Sequence, residues 1–122
     1  MNIRRLRERP EFTAGDNTTL RELWNPHNDP EFGARYSLAH ATVAPGQSSA
    51  PHTLATHELY FILSGEGVMR ISAESEPVGA GDAIEIPPGA EQWIENTGAE
   101  PLKFLCIVDP AWRAEDEQIS ER

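Results

Sequence analysis

The stretch PHTLATHELYFILSGEG, residues 51–67, holds two histidines, His52 and His57, and one carboxylate, Glu58, within seven positions before it becomes an apolar run closed by glycines. Imidazole nitrogens and carboxylate oxygens are donors that divalent ions accept. Two readings therefore stand side by side: a metal site, or a hydrogen-bonded pair inside an empty barrel. In extended backbone, residues of equal parity share a face, so Glu58, Tyr60 and Ile62 lie together and His57 points away. If the chain is already extended before Glu58, His52 and Leu54 join that face. His57 reaches it only through a bulge or a loop turn, and otherwise reads as a surface or interface residue. Tyr60 and His40 are candidates to line the same interior and to handle substrate protons or hydrogen bonds. His27, in the loop NPHND, reads as solvated.

The elements that must hold these groups are strands. Six runs rich in Val, Ile, Leu and aromatics (RYSLAHATV, ELYFIL, GVMRISA, DAIEIP, EQWIEN and LKFLCIV) are separated by the turn-rich stretches PGQSSAP, SGEG, EPVGAGD, PPGA and TGAEP. Short strands in succession, with no helices between them, predict an all-β antiparallel sandwich or barrel. DAIEIP alternates as a half-buried strand does, with Ile84 and Ile86 on one face and Glu85 on the other. Pro88 and Gly89 fit the central positions of a type II turn. Parity sets Trp93 opposite Gln92 and Ile94, at an outer or interface position. The helical signal is confined to the start, where Thr19 and Glu22 fit a capping box and Leu20, Leu23 and Trp24 share one side of a turn. LYFIL and FLCIV are apolar on both faces. One face of a barrel wall fills the lumen and the other needs cover, so a homodimer is expected.

With 122 residues the chain has room for one core and one domain. Its formal charge is −10, and four of its ten basic residues fall within the first ten positions, leaving six basic against nineteen acidic residues elsewhere. Such a surface repels phosphate backbones and argues against nucleic acid or an anionic membrane as partner. Arg4 and Arg5 have the look of a twin-arginine signal, but no apolar segment follows them, and a cytoplasmic protein is expected. The single cysteine, Cys106, sits in an apolar run and reads as a core residue. The charged tail RAEDEQISER reads as a loose helix or a disordered end.

Written as spacings, residues 46–65 read G-x5-H-x-L-x3-E-x6-G, through Gly46, His52, Leu54, Glu58 and Gly65. Residues 81–96 read G-x5-P-x-G-x2-Q-x3-N, through Gly81, Pro87, Gly89, Gln92 and Asn96. The pair resembles the two signature motifs of the cupin superfamily, G-x5-H-x-H-x3,4-E-x6-G and G-x5-P-x-G-x2-H-x3-N, over residues 36–110. The resemblance implies an antiparallel jelly-roll barrel, often dimeric, with a divalent metal in the lumen. On that pattern 1–35 forms an N-terminal arm packed on the barrel, 36–110 the barrel and 111–122 a charged tail. Leu54 and Gln92 stand where the family has histidines, so the implied ligands here are His52, Glu58 and Gln92. This mixed N/O set suits Zn, Fe, Mn, Ni or Co, with positions left open for water or substrate. His57 or His40 is placed to compensate for the lost imidazoles.

The resemblance implies a metal-dependent enzyme acting on a small polar organic substrate, of dioxygenase or sugar isomerase/epimerase type. The alternative is a non-catalytic module that binds a small ligand with a weak or absent metal site, and a third reading is a structural dimer with an occluded barrel. Under each of the first two, Leu54, Tyr60 and His40 line the ligand pocket. Fold alone does not choose among them.

Overall fold

The structure, a computed structural model, describes residues 1–120. Glu121 and Arg122, the end of the charged tail, lie outside the described residues. Eleven strands make up almost all of the regular structure: β1 (Phe12–Thr13), β2 (Thr19–Trp24), β3 (Ser37–Val43), β4 (His52–Leu54), β5 (His57–Ser64), β6 (Glu66–Ile71), β7 (Glu74–Gly79), β8 (Ala83–Ile86), β9 (Gln92–Asn96), β10 (Leu102–Asp109) and β11 (Glu117–Ile119). A six-stranded sheet runs β1-β2-β3-β10-β5-β8 and a five-stranded sheet runs β11-β4-β9-β6-β7, with every pairing antiparallel. This is the all-β jelly roll expected from the resemblance. No helix among the described residues is long and apolar enough to cross a membrane.

Alternation in sequence becomes the inner wall. β10 turns Leu102, Phe104, Cys106 and Val108 inward, β5 turns Glu58, Tyr60 and Ile62 inward, and β9 contributes Gln92, Ile94 and Asn96. Phe104 and Ile62 are completely buried, and the Tyr60 and Phe104 rings meet at 4.5 Å between centroids. The close of the first motif has a steric cause. Gly65 takes φ +88°, and a Cβ there would stand 2.7 Å from the carbonyl oxygen of Pro101, a place no other residue fills without strain. Asn96, closing the second motif, donates to the carbonyls of Val43 and Glu100 and accepts from Gly98 N, so its buried amide is fully satisfied.

Two expectations for the ends of the chain are corrected. Thr19–Trp24 is a strand, not a helix: its backbone pairs with both β1 and β3, and its side chains alternate, Leu20 and Glu22 facing the interior. Six residues with one cap cannot outweigh a ladder on both edges. The helical turn near the start lies instead at Leu6–Glu8. The tail is likewise ordered through Ser120, with a short helical turn at Ala114–Asp116 followed by β11 on the edge of β4.

The rest of the arm is fastened from outside. Arg4 lies 4.1 Å from the centroid of the Trp24 ring and 2.7 Å from Asp29, and Trp24 stacks on Phe32. Trp93 faces outward beside Arg70, His57 faces outward against Glu85 at 3.0 Å, and His27 is exposed. Because Phe104 fills the inner wall completely, Phe104→Ala should cost about 3–5 kcal/mol in urea unfolding. A cost below about 1 kcal/mol, the range of surface substitutions, would contradict a tightly packed wall.

Candidate functional site

The site occupies the space between the two sheets at the end where β4, β5 and β9 begin. His52 and Gln92 are direct partners across β4 and β9, and Glu58 enters from β5 in the opposite sheet. The turn before β9 ties the motifs together, since Gly89 N donates to the Leu54 carbonyl at 2.8 Å. Gly89 has φ +80°, as the second central position of a type II turn requires.

His52, Glu58 and Gln92 are all buried, and the structure brings them into one polar layer. The Tyr60 hydroxyl donates to Gln92 Oε1 at 3.0 Å, and Gln92 Nε2 donates to Glu58 Oε1 at 2.8 Å. His52 Nδ1 lies 2.8 Å from the Ala50 carbonyl, which can only accept. Nδ1 therefore carries a hydrogen, and Nε2 is the ring nitrogen left for other partners. That nitrogen meets Asp16 Oδ2 at 3.6 Å.

Asp16 carries no signal in the motifs and was not foreseen. It sits in the β1–β2 turn, where Asn17 adopts φ +74° and Asp16 Oδ1 accepts from Thr18 N at 3.1 Å and Thr18 Oγ1 at 2.6 Å. Ala50 N donates to the Asp16 carbonyl at 2.7 Å, so the turn is stitched to the segment that leads into His52. From the other end of the chain, β11 places Glu117 opposite Leu54, and Trp112 Nε1 holds Glu117 Oε2 at 2.9 Å. The available signals were the turn-forming sequence Gly-Asp-Asn and the acidic tail, neither of which points to a site by itself.

These groups border a cavity of about 180 Å³, so the occluded-barrel reading does not hold. Tyr60 lines the cavity beside His52 and Glu58. Leu54 is buried next to them but is not among the cavity-lining residues. His40 is not there either, which corrects its expected pocket role. Ala39 faces the cavity, so alternation turns His40 to the outside of β3, where it lines a separate depression with Leu6, Arg21 and Lys103. His40 is buried there, and burial together with Lys103 and Arg21 lowers its pKa. Neither His40 nor His57 takes the place of a missing histidine.

Electrostatically the cavity is acidic. Burial pushes the Glu58 carboxyl up to about 8; the Gln92 hydrogen bond opposes the shift, and the charges of Asp16 and Glu117 reinforce it. Burial also drives the Tyr60 hydroxyl and the Cys106 thiol well above their ordinary values, so Cys106 is a core residue without thiolate character.

A metal centre would need His52 Nε2, a Glu58 oxygen and the Gln92 oxygen aimed at one point. His52 meets that requirement. Gln92 does not, because its oxygen accepts from Tyr60 and its amide hydrogens face Glu58. Leu54 offers no donor, and among the described residues no group of three or more His, Cys, Asp or Glu side chains is placed to hold an ion. As arranged, the donor set does not fit a metal. What it can do is present a protonated carboxyl, Glu58, and the imidazole of His52 to the same small cavity.

Comparison with known proteins agrees with the architecture. A family model for the Cupin domain matches residues 39–108. An uncharacterized protein of Methanocaldococcus jannaschii is 40% identical over 111 residues, spanning 90% of this chain and 87% of that protein. An oxalate-binding protein of Thermotoga maritima is 36% identical over 83 residues, 67% of this chain and 64% of its own length. The crystal structure of a predicted oxalate decarboxylase from Thermotoga maritima superimposes with a TM-score of 0.78 at 25% identity, covering 89% of this chain and 99% of that one.

Glu58 gives a pH dependence of definite sign. In the folded chain it stays protonated to about pH 8, against an ordinary 4.5. The folded state thus binds more protons between those values, and its contribution to stability falls as pH rises through that window, by at most about 1.4 kcal/mol per pH unit. Glu58→Gln should remove this slope. Urea unfolding of both proteins at pH 5 and pH 8, with chelator present, checks it; parallel curves would show that Glu58 is ionised in the fold.

Proposed function

The chain belongs to the cupin domain family, and on that premise we propose that its lumen binds a small organic molecule through hydrogen bonds and apolar contacts rather than through a metal centre. The observation that carries this reading is the occupation of Gln92: its amide bridges Tyr60 and Glu58, so the second-motif position acts as a hydrogen-bond relay. Glu58 offers a proton, His52 supplies an imidazole whose Nδ1 is held by the Ala50 carbonyl, and aromatic and aliphatic side chains line the same cavity. An acid and a base so placed suit a proton-transfer reaction on a small polar substrate. The same groups serve equally to orient a ligand that is only bound. The oxalate-binding relative supports a small-molecule role for the lumen.

A second reading retains a divalent transition metal, Zn, Fe, Mn, Ni or Co, on His52, Glu58 and Gln92. One observation favours it: a ligating histidine ordinarily donates its other ring N–H to an acceptor such as a backbone carbonyl, as His52 does to Ala50. It requires the Gln92 amide to turn and release its oxygen. Elemental analysis of untagged protein purified without chelator, beside His52→Ala, separates the two. Metal well below one equivalent in both proteins, with the same melting temperature with and without chelator, is the expected result. Near one equivalent of a single transition metal, lost in His52→Ala, would establish the second reading instead.

The outer face of the six-stranded sheet supports a homodimer. Phe61 and Leu63 on β5 are 40% and 42% exposed, and Leu59, Leu105 and Ile107 continue the apolar stripe beside them. A second copy covering this stripe removes it from water. Light scattering at micromolar concentration should give the mass of two chains, and Phe61→Glu should shift it to one. A wild-type mass of one chain would refute the dimer.

A further inference from the structure

The lumen departs from its own motifs most in charge. Four carboxylates border it, those of Asp16, Glu22, Glu58 and Glu117, and no lysine or arginine is among its lining residues. Glu22 is engaged by the amides of Asn25 and Asn28, and Glu58 accepts from Gln92 at the floor beside Tyr60. Asp16 is held by Thr18 and Glu117 by Trp112, neither of which carries charge, and His52 is the single ionisable base near Asp16. Both carboxylates reach the cavity from outside the barrel motifs, and the two segments are close: a Cβ on Gly15 would stand 3.5 Å from Glu117 Oε1.

A second, independent feature lies at the same end. Phe12 and Trp112 line the cavity while remaining 47% and 37% exposed, so two aromatic rings border its mouth. Trp112 is fixed there by its hydrogen bond to Glu117. Aromatic rings beside carboxylates are surroundings that suit an organic cation, because ring quadrupole and anionic charge attract it together. An anionic ligand would meet repulsion from Asp16 and Glu117, and a neutral one would leave both uncompensated in a partly enclosed space. Glu58 fits the arrangement as well: it is only 7% exposed, and Gln92 occupies one of its two oxygens.

We infer that the lumen is selective for a small organic cation, an amine or quaternary ammonium whose charged head lies among Asp16, Glu117, Phe12 and Trp112 while its apolar body points toward Tyr60 and Phe104. The inference rests on the lumen being a ligand site, as proposed above. A cavity of about 180 Å³ suits a ligand of about six heavy atoms. The net charge of −10 adds long-range attraction for cations.

Three near-isosteric probes, isobutylamine, isobutanol and isobutyrate, test it by calorimetry and thermal shift at pH 7 with chelator present. The amine should bind, weaken with added salt, and outdo the alcohol and the acid by about tenfold or more. Asp16→Asn and Glu117→Gln should each reduce amine binding several-fold and narrow its advantage over isobutanol. Alcohol or acid binding as tightly as the amine would overturn cation selectivity while leaving the lumen a ligand site. Binding by none of the three would overturn the ligand site along with it.

Discussion

Gln92 is completely buried, and both ends of its amide are committed across the barrel, the oxygen to Tyr60 and the nitrogen to Glu58. Gln92 belongs to the five-stranded sheet, while Tyr60 and Glu58 belong to the six-stranded one. The amide is therefore a polar rivet between the two layers, as is the bond from Asn96 to the Val43 carbonyl. An unpartnered amide there would be costly, as would an ionised carboxylate with no counter-charge. The chain satisfies both groups with each other and leaves Glu58 neutral at physiological pH. The protonation state of the floor, the orientation of Tyr60 and the direction in which Gln92 cannot donate follow from this one arrangement.

His52 stands outside that relay and is oriented by different means. The Ala50 carbonyl holds its Nδ1, and the β1–β2 turn brings Asp16 to Nε2. The turn holds its shape through local bonds, Thr18 to Asp16 and Ala14 to Thr18, and is joined to the barrel by Ala50 N. A segment outside the barrel motifs thus sets the surroundings of a residue inside them. The same holds at the other end, where β11 aligns Glu117 with Leu54. The barrel supplies the cavity, and its flanking segments supply the charge.

The sequence carried the barrel because period-two alternation and motif glycines are local signals. Glu58, Tyr60 and Ile62 share a face as their parity requires, and Gly65 and Gly89 sit where backbone of positive φ is needed. His52 and Gln92 were legible as neighbours only through the motif resemblance, since their pairing joins β4 to β9 across a long separation. His40 was misplaced because a single histidine in a half-apolar strand has no mark of which face it takes; Ala39 and Ala41, too small to weigh in a pattern, settle it. Thr19–Trp24 misled for a related reason. A capping pattern is local, while the partners that make the segment a strand, β1 and β3, are not. Asp16 and Glu117 were invisible because nothing in their own neighbourhoods shows that they converge.

The two altered motif positions acquire a joint meaning from this geometry. The histidines of the motif pattern present lone pairs that a cation draws together. Here one position is Leu54, buried and apolar, and the other is an amide held by its neighbours. Carboxylates enter instead from Asp16 and Glu117, one on each flanking segment, and they press on Glu58 in the sense that keeps it protonated. Restoring histidine at Gln92 alone would break the bridge to Tyr60 and Glu58 without supplying a donor at Leu54. The substitutions at Leu54 and Gln92 and the acidic residues that border the cavity therefore act together: two donors are withdrawn from one point, and carboxylates stand around the space instead.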